Sequence, residues 1–310
     1  MLTLRMPGQS HAGPLPPLTE FEQALQQRLE RHIRALSVDI GERNVWRPKA
    51  LASASNYIEA ALAEHGRVDA QEYEVGHQTV RNLAIERLGA TNPDEIVIVG
   101  AHYDTVVDCP GANDNASGVA ALIELVGLTR DRQRARTMRF IAFVNEEPPF
   151  FQTDLMGSRQ YSRRCRERGE KIVAMLSLET IGCFSDRPGS QQYPFPFSRF
   201  YPDVGNFVGF VGNTASSRLV QQVVGSFRRH VAFPSEGIAA PGWITGVSWS
   251  DQWSFWQESY PALMVTDTAP FRYPYYHTPD DTIDKVNLDG LTRVTSGLAL
   301  VLIDLCVTGG

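Results

Sequence analysis

Cysteine is scarce. Cys109, Cys165, Cys183 and Cys306 are the whole complement of a 310-residue chain. Four thiols with no CxxC spacing exclude a disulfide-built scaffold and a cysteine zinc knuckle. Positive charge is in deficit too: 29 Lys and Arg stand against 35 Asp and Glu, a formal net charge of −6. A mildly acidic chain without a basic stripe is not built to bind nucleic acid. Long apolar runs are missing. The most apolar stretch, GLALVLIDLCV at 297–307, carries Asp304 and falls short of the ~20 residues a bilayer needs, so it predicts a core helix. The first 18 residues hold four prolines and no apolar core, so no secretory signal is read there. Together these absences predict a cytoplasmic protein with reduced thiols and no membrane partner. A 43% hydrophobic and 21% charged composition excludes a disordered or fibrous chain.

Residues 20–36 place Phe21, Leu25, Leu29 and Ile33 at steps of four, the stripe of an amphipathic helix. A second helix is expected over 51–66, closing at Gly66, and β-like stretches follow around 73–76 and 80–89. A pattern then repeats in which a short continuous apolar run ends in polar residues. EIVIVG (95–100) leads into Ala-His-Tyr-Asp, RFIAFV (139–144) into Asn-Glu-Glu, IVAMLSL (172–178) into Glu179, and ALMVTD (262–267) towards His277. Helical patterns such as 118–131 lie between. Strands buried on both faces and alternating with helices predict an α/β fold, a three-layer sandwich around a mixed, mostly parallel sheet. In such sheets ligands gather beyond the carboxyl ends of the strands, where these polar clusters fall. Two stretches without clean period, 184–206 and 235–250, are read as irregular segments walling a pocket. The first is an excursion inside a single domain spanning 1–310, not a linker.

Each candidate residue has an ordinary reading when taken alone. His102 could be a satisfied core histidine, Asp114 in PGANDNASG a turn residue before a helix, and His277 in YYHTPDDT a loop residue. Glu146-Glu147 could be a solvated pair. Adjacent carboxylates at a buried strand end are nevertheless uncomfortable without a cation, and Glu179 at the end of an apolar strand is costly to bury unpaired. Two histidines and several carboxylates, each at the end of a β-like run, ask for one shared explanation. Imidazole with carboxylate is a ligand set that suits zinc, with manganese or cobalt as lesser options.

The stretch GAHYDTVVDCPGANDNASGVAALIEL, the Asn145-Glu146-Glu147 step followed by MGSRQY, and LSLETIG, SDQWSFW and YYHTPDDT together resemble a zinc-dependent peptidase family. That family contains bacterial leucine aminopeptidases, glutamate carboxypeptidase-like enzymes and, more distantly, glutaminyl cyclases. The resemblance runs from about residue 95 to 285. It implies two zinc ions. His102 and Glu179 would serve the first ion, His277 and Glu147 the second, and Asp114 would bridge both. Glu146 would act as general base. Asp104, two residues past His102 and on the same side of an extended segment, would orient the imidazole. The implied reaction is hydrolysis of the N-terminal peptide bond of a peptide with a free N-terminus.

Departures from the family pattern are visible. Glu179 stands where many members carry aspartate, Gln252 where some relatives have histidine, and Pro148-Pro149 forbid a regular helix directly after Glu147. The segment 146–158 is expected to lie across the site mouth. Two other readings follow from the same resemblance: a glutaminyl-cyclase-like acyltransferase with one zinc, and a non-catalytic peptidase-like binding domain. The sequence leaves open the preferred N-terminal residue, amino acid against dipeptide release, the oxyanion donor and the oligomeric state.

Overall fold

Thr19 opens the first helix through a reciprocal cap. Its hydroxyl accepts the Glu22 N–H at 3.2 Å while the Glu22 carboxylate accepts the Thr19 N–H at 2.9 Å. In the computed structural model, which describes residues 2–307, helix α1 spans Glu20–Arg34 and runs on into a π-helical turn, Ala35–Ile40. Leu25, Leu29 and Ile33 are fully buried along it, each contributing about 1.5–3 kcal/mol. Phe21 departs from the expected stripe: it is 56% exposed, and the stripe is buried only from Leu25 onward. Helix α2 (Pro48–Ala63) starts on a proline, whose missing N–H costs nothing at that position.

The sheet has eight strands in the order β1-β2-β4-β3-β5-β8-β6-β7. They are β1 (Val68–Val75), β2 (Gln78–Arg87), β3 (Asn92–His102), β4 (Arg136–Phe143), β5 (Lys171–Glu179), β6 (Val208–Asn213), β7 (Ser235–Ala240) and β8 (Ala262–Thr266). Strands β4, β3, β5 and β8 run parallel, β6 and β7 are parallel to each other, and β1/β2, β2/β4 and β6/β8 are antiparallel. The expected mixed, mostly parallel sheet covered by helices is present.

The continuous apolar runs are explained by burial on both faces. Val97, Val99 and Ala101 of β3 enter a large core with α1, α2, α3 (Gly118–Leu128), α5 (Ser217–His230) and α7 (Leu288–Val307). Ile96 and Ile98 of the same strand enter a smaller core with α4 (Gly157–Glu167) and α6 (Gln252–Gln257). By length and composition α7 could cross a membrane, but 72% of its apolar window is buried inside the fold, as a core helix requires. Residues 184–206 form no helix or strand beyond a short 3₁₀ turn, Phe197–Arg199. That of 235–250 is corrected at its start, where 235–240 forms β7. Positions 1 and 308–310 of the expected domain lie outside the described residues.

Candidate metal centre

Three adjacent parallel strands end at one edge of the sheet. There β3 delivers His102 as its last residue and β5 delivers Glu179, while β4 is followed by Asn145, Glu146 and Glu147. Asn145 adopts φ 58°, a left-handed conformation asparagine tolerates, and turns the chain so that both glutamates face the edge. Asp114 comes from the turn before α3. That turn is pinned on three sides. Asn113 donates to Asp267 and accepts the Gly182 N–H, each at 2.8 Å; Asn115 donates to the Leu178 carbonyl at 2.8 Å; and Asp281 accepts the Asn113 and Asp114 N–H groups at 2.8 and 3.0 Å. His277 arrives from the loop after β8, stacked on Tyr276 with ring centroids 3.8 Å apart.

Asp114 stands between two groups. Its Oδ1 lies 3.3 Å from His102 Nε2, which is also 3.3 Å from Glu179 Oε2. Its Oδ2 lies 3.1 Å from His277 Nε2, which is 3.2 Å from Glu147 Oε2. Glu146 Oε2 is 4.0 Å from His102 Nε2. All five expected ligands and the expected base therefore converge. Six buried atoms of these ligands have no hydrogen-bond partner among the described residues: both His102 ring nitrogens, both Asp114 oxygens, Glu147 Oε1 and His277 Nε2. His102, Asp114 and Glu147 each offer an atom within 4.8 Å of the others, a spacing that can hold a metal ion. Orphaned imidazole and carboxylate atoms of this kind fit zinc.

The electrostatics point the same way. Asp104, Asp114, Glu146, Glu147, Glu179 and Asp251 are all buried, against two imidazoles. Burial, with Glu147, Glu179 and Asp251 as like charges, pushes the Glu146 carboxyl well above its ordinary value. Burial and neighbouring Asp114 push Glu147 up to about 7. Burial disfavours charged His102, yet Glu179 and Glu146 hold it well above the usual histidine range; His277, beside Asp114 and Glu147, is raised to about 10. A divalent cation offsets such a cluster, which is otherwise expensive to bury.

The supporting residues depart in part from expectation. Asp104 Oδ1 is 3.7 Å from His102 Nδ1, beyond a hydrogen bond. Its carboxylate instead accepts the Glu146 and Glu147 N–H groups, both at 3.1 Å, and so anchors the base and a ligand through their backbone. Ser250 donates to Glu179 Oε2 at 2.7 Å and fixes that longer carboxylate. Gln252 ties its amide to the Val247 carbonyl at 3.1 Å. Two acids went unread in the sequence. Asp251 is fully buried with neither oxygen hydrogen-bonded among the described residues, and burial raises it to about 7. Asp281 braces the Asp114 turn and accepts the Tyr273 hydroxyl at 2.7 Å. The doubled acid after His277 was the available signal for Asp281. Segment 146–158 reaches over to the 241–250 loop, where Gln152 donates to the Ser248 carbonyl at 3.1 Å.

A pocket of about 110 Å³ opens between Glu179 and Tyr276. The 184–206 excursion walls it with Tyr193, Phe197 and Tyr201, joined by Phe207 directly after it, while Phe195 and Phe200 of the excursion are exposed. Of the tyrosines near the site, Tyr103 gives its hydroxyl to the Arg81 carbonyl at 2.8 Å, whereas Tyr276 lines the pocket beside the ligands.

The chain is similar in sequence to curated proteins and in fold to solved structures. The Escherichia coli (strain K12) protein YfbL is 34% identical over 289 residues, covering 90% of this chain and 88% of its own. Aminopeptidase YwaD of Bacillus subtilis (strain 168) is 27% identical over 223 residues, 70% of this chain, which spans only 43% of YwaD. Among solved structures, BSAP, a zinc aminopeptidase from Bacillus subtilis, superposes with a TM-score of 0.74 at 14% identity, covering 91% of this chain and 95% of that one. A glutaminyl cyclase from an Acidobacteriales bacterium has the same fold, with a TM-score of 0.64 at 21% identity and coverages of 96% and 99%. The family model described as peptidase family M28 matches residues 82–302, a span holding every candidate ligand, and the chain belongs to that family.

Proposed function

We propose that this chain is a two-zinc aminopeptidase that hydrolyses the N-terminal peptide bond of peptides with a free N-terminus. The observation that carries this reading is the position of Asp114, whose two oxygens face two different histidine–glutamate pairs. His102, Glu179 and Asp114 Oδ1 would hold one ion; His277, Glu147 and Asp114 Oδ2 would hold the other. A pair of bound divalent cations supplies Lewis-acid polarisation of the scissile carbonyl and makes water acidic enough to ionise near pH 7. Glu146 is left free for proton transfer, taking a proton from water at its carboxylate and returning it to the leaving amine. Asp104 keeps Glu146 in register by holding its N–H. Tyr276, which lines the pocket and stacks on His277, would donate its hydroxyl to the developing oxyanion. Every one of these groups hangs from one sheet, which supports reading 1–310 as a single catalytic domain.

The glutaminyl-cyclase-like reading has its own support in the shared fold. The symmetric use of Asp114 by both histidines favours two ions and hydrolysis. A panel of aminoacyl chromogenic amides, run beside an N-terminal glutaminyl peptide, separates the two. Amide hydrolysis that stops on chelation and returns with zinc supports the peptidase. Cyclisation without amide hydrolysis refutes it.

A further inference from the structure

The pocket beside the candidate metal centre is lined unevenly. Among the described residues that wall it, only Glu179 at the mouth and Glu236 carry charge; most of the others are aromatic or aliphatic. Glu236 belongs to β7. Strand registers place Glu179, Thr266, Gly209 and Glu236 in one row across β5, β8, β6 and β7. With strands about 4.8 Å apart, the two glutamates stand about 14 Å from each other along that row. Gly209 lies between them. A Cβ there would meet the Thr266 carbonyl at 3.3 Å and the Thr268 methyl at 3.7 Å, so its absence keeps the floor of the pocket open.

No donor among the described residues hydrogen-bonds the Glu236 carboxylate. Its nearest cation, Arg228, is 3.7 Å away. Arg228 gives its protons elsewhere: to the Ser235 hydroxyl and carbonyl at 3.1 and 2.7 Å, and to the Pro7 and Gly8 carbonyls at 3.3 and 3.2 Å. Burial raises the Glu236 carboxyl above its ordinary value, as expected for a desolvated acid with little compensation.

We propose that Glu236 is a specificity-determining residue that selects peptides with an N-terminal arginine or lysine. The proposal rests on the aminopeptidase reading above. The methylene stem of the substrate side chain lies along the aromatic wall, and its cationic head meets Glu236 at the far end. Tyr193 and Tyr201, stacked on each other with centroids 5.7 Å apart, line the pocket at that end, where the Tyr201 hydroxyl donates to the carbonyl of Gly237 next to Glu236 at 2.9 Å. A leucine side chain stops short of Glu236 and leaves that half-buried carboxylate with Arg228, 3.7 Å away, as its one cation among the described residues.

The test pairs binding with turnover. Zinc-loaded protein is titrated calorimetrically with L-arginine, L-lysine, L-norleucine and L-leucine, and kcat/KM is measured for the corresponding aminoacyl coumarylamides. Arginine should bind at least ~10-fold more tightly than norleucine, and arginyl amide should lead in kcat/KM by a similar factor. Glu236→Leu should collapse both ratios at least ~10-fold, chiefly through KM, and Glu236→Asp should restore part of them. Glu236→Gln, nearly isosteric, serves if the leucine variant misfolds, with zinc content and melting temperature checked for each. Equal binding of arginine and norleucine by the wild type, or ratios unmoved in both Leu and Gln variants, overturns the proposal. Arginine preference in binding with no amide hydrolysis would sink the aminopeptidase reading alone. Leucyl over arginyl turnover would sink the specificity alone.

Discussion

Replacing Glu146 by glutamine isolates one function of the site. Glu146 is 6% exposed, and its backbone N–H is held by Asp104 Oδ1 at 3.1 Å, a bond that does not depend on the side chain. Its Oε2 stands 4.0 Å from His102 Nε2 and outside both groups centred on Asp114. Glutamine keeps the shape and removes the capacity to accept a proton. General base catalysis is worth about 10²–10⁴-fold, so kcat should fall at least ~100-fold, equivalent to about 2.7 kcal/mol of barrier. KM should change little, since the residue holds neither ligand nor pocket wall. Zinc content should be retained, because no ligand is altered. The metal-free variant should melt no lower than the metal-free wild type, because one like charge leaves a cluster of six carboxyls. Steady-state kinetics beside elemental analysis on the same sample provide the assay. Turnover within ~3-fold of wild type at full zinc occupancy would refute Glu146 as the base.

Two further outcomes follow from named contacts. Asp281→Ala removes the acceptor of two buried N–H groups and of the Tyr273 hydroxyl, so the Asp114 turn should loosen and zinc affinity drop about 10–100-fold; unchanged affinity in a competitive chelator titration would count against that brace. Glu124 on α3 is buried, which raises its carboxyl, but hydrogen bonds from His32 and Arg28 on α1 outweigh burial and leave it below 4.5. A lowered folded-state value means stabilisation is present above the unfolded value and is lost as pH falls through the folded one. Glu124→Gln should therefore cost about 1–3 kcal/mol in urea unfolding at pH 7, with the difference from wild type shrinking in acid; a pH-independent difference would contradict the linkage.

Much of the architecture was legible because a strand buried on both faces has no polar side to disguise it. That is why β3, β4, β5 and β8 stood out as unbroken apolar runs, and why the polar residues after them marked the sheet edge. Strand β7 was hidden for the opposite reason. Its SEGIAA segment mixes small residues with Glu236, whose side chain serves the pocket instead of a core. Phe21 shows the limit of periodicity: spacing puts it on the stripe, but only the packing partner decides how far the stripe extends. At the site, residues that would touch metal were visible as an improbable set of histidines and carboxylates. For residues that act through backbone N–H groups, Asp104 on Glu146 and Glu147 and Asp281 on Asp114, sequence could mark the acid but not its partner, so those hydrogen bonds emerged only in three dimensions.

The central claim is that Asp114 joins two metal ions. Anomalous diffraction at the zinc edge, on crystals of the zinc-loaded chain, tests it directly. The account predicts two peaks per chain about 3.5–4 Å apart with Asp114 between them, one flanked by His102 and Glu179 and the other by His277 and Glu147. A single peak at full loading, or zinc bound away from Asp114, would contradict it.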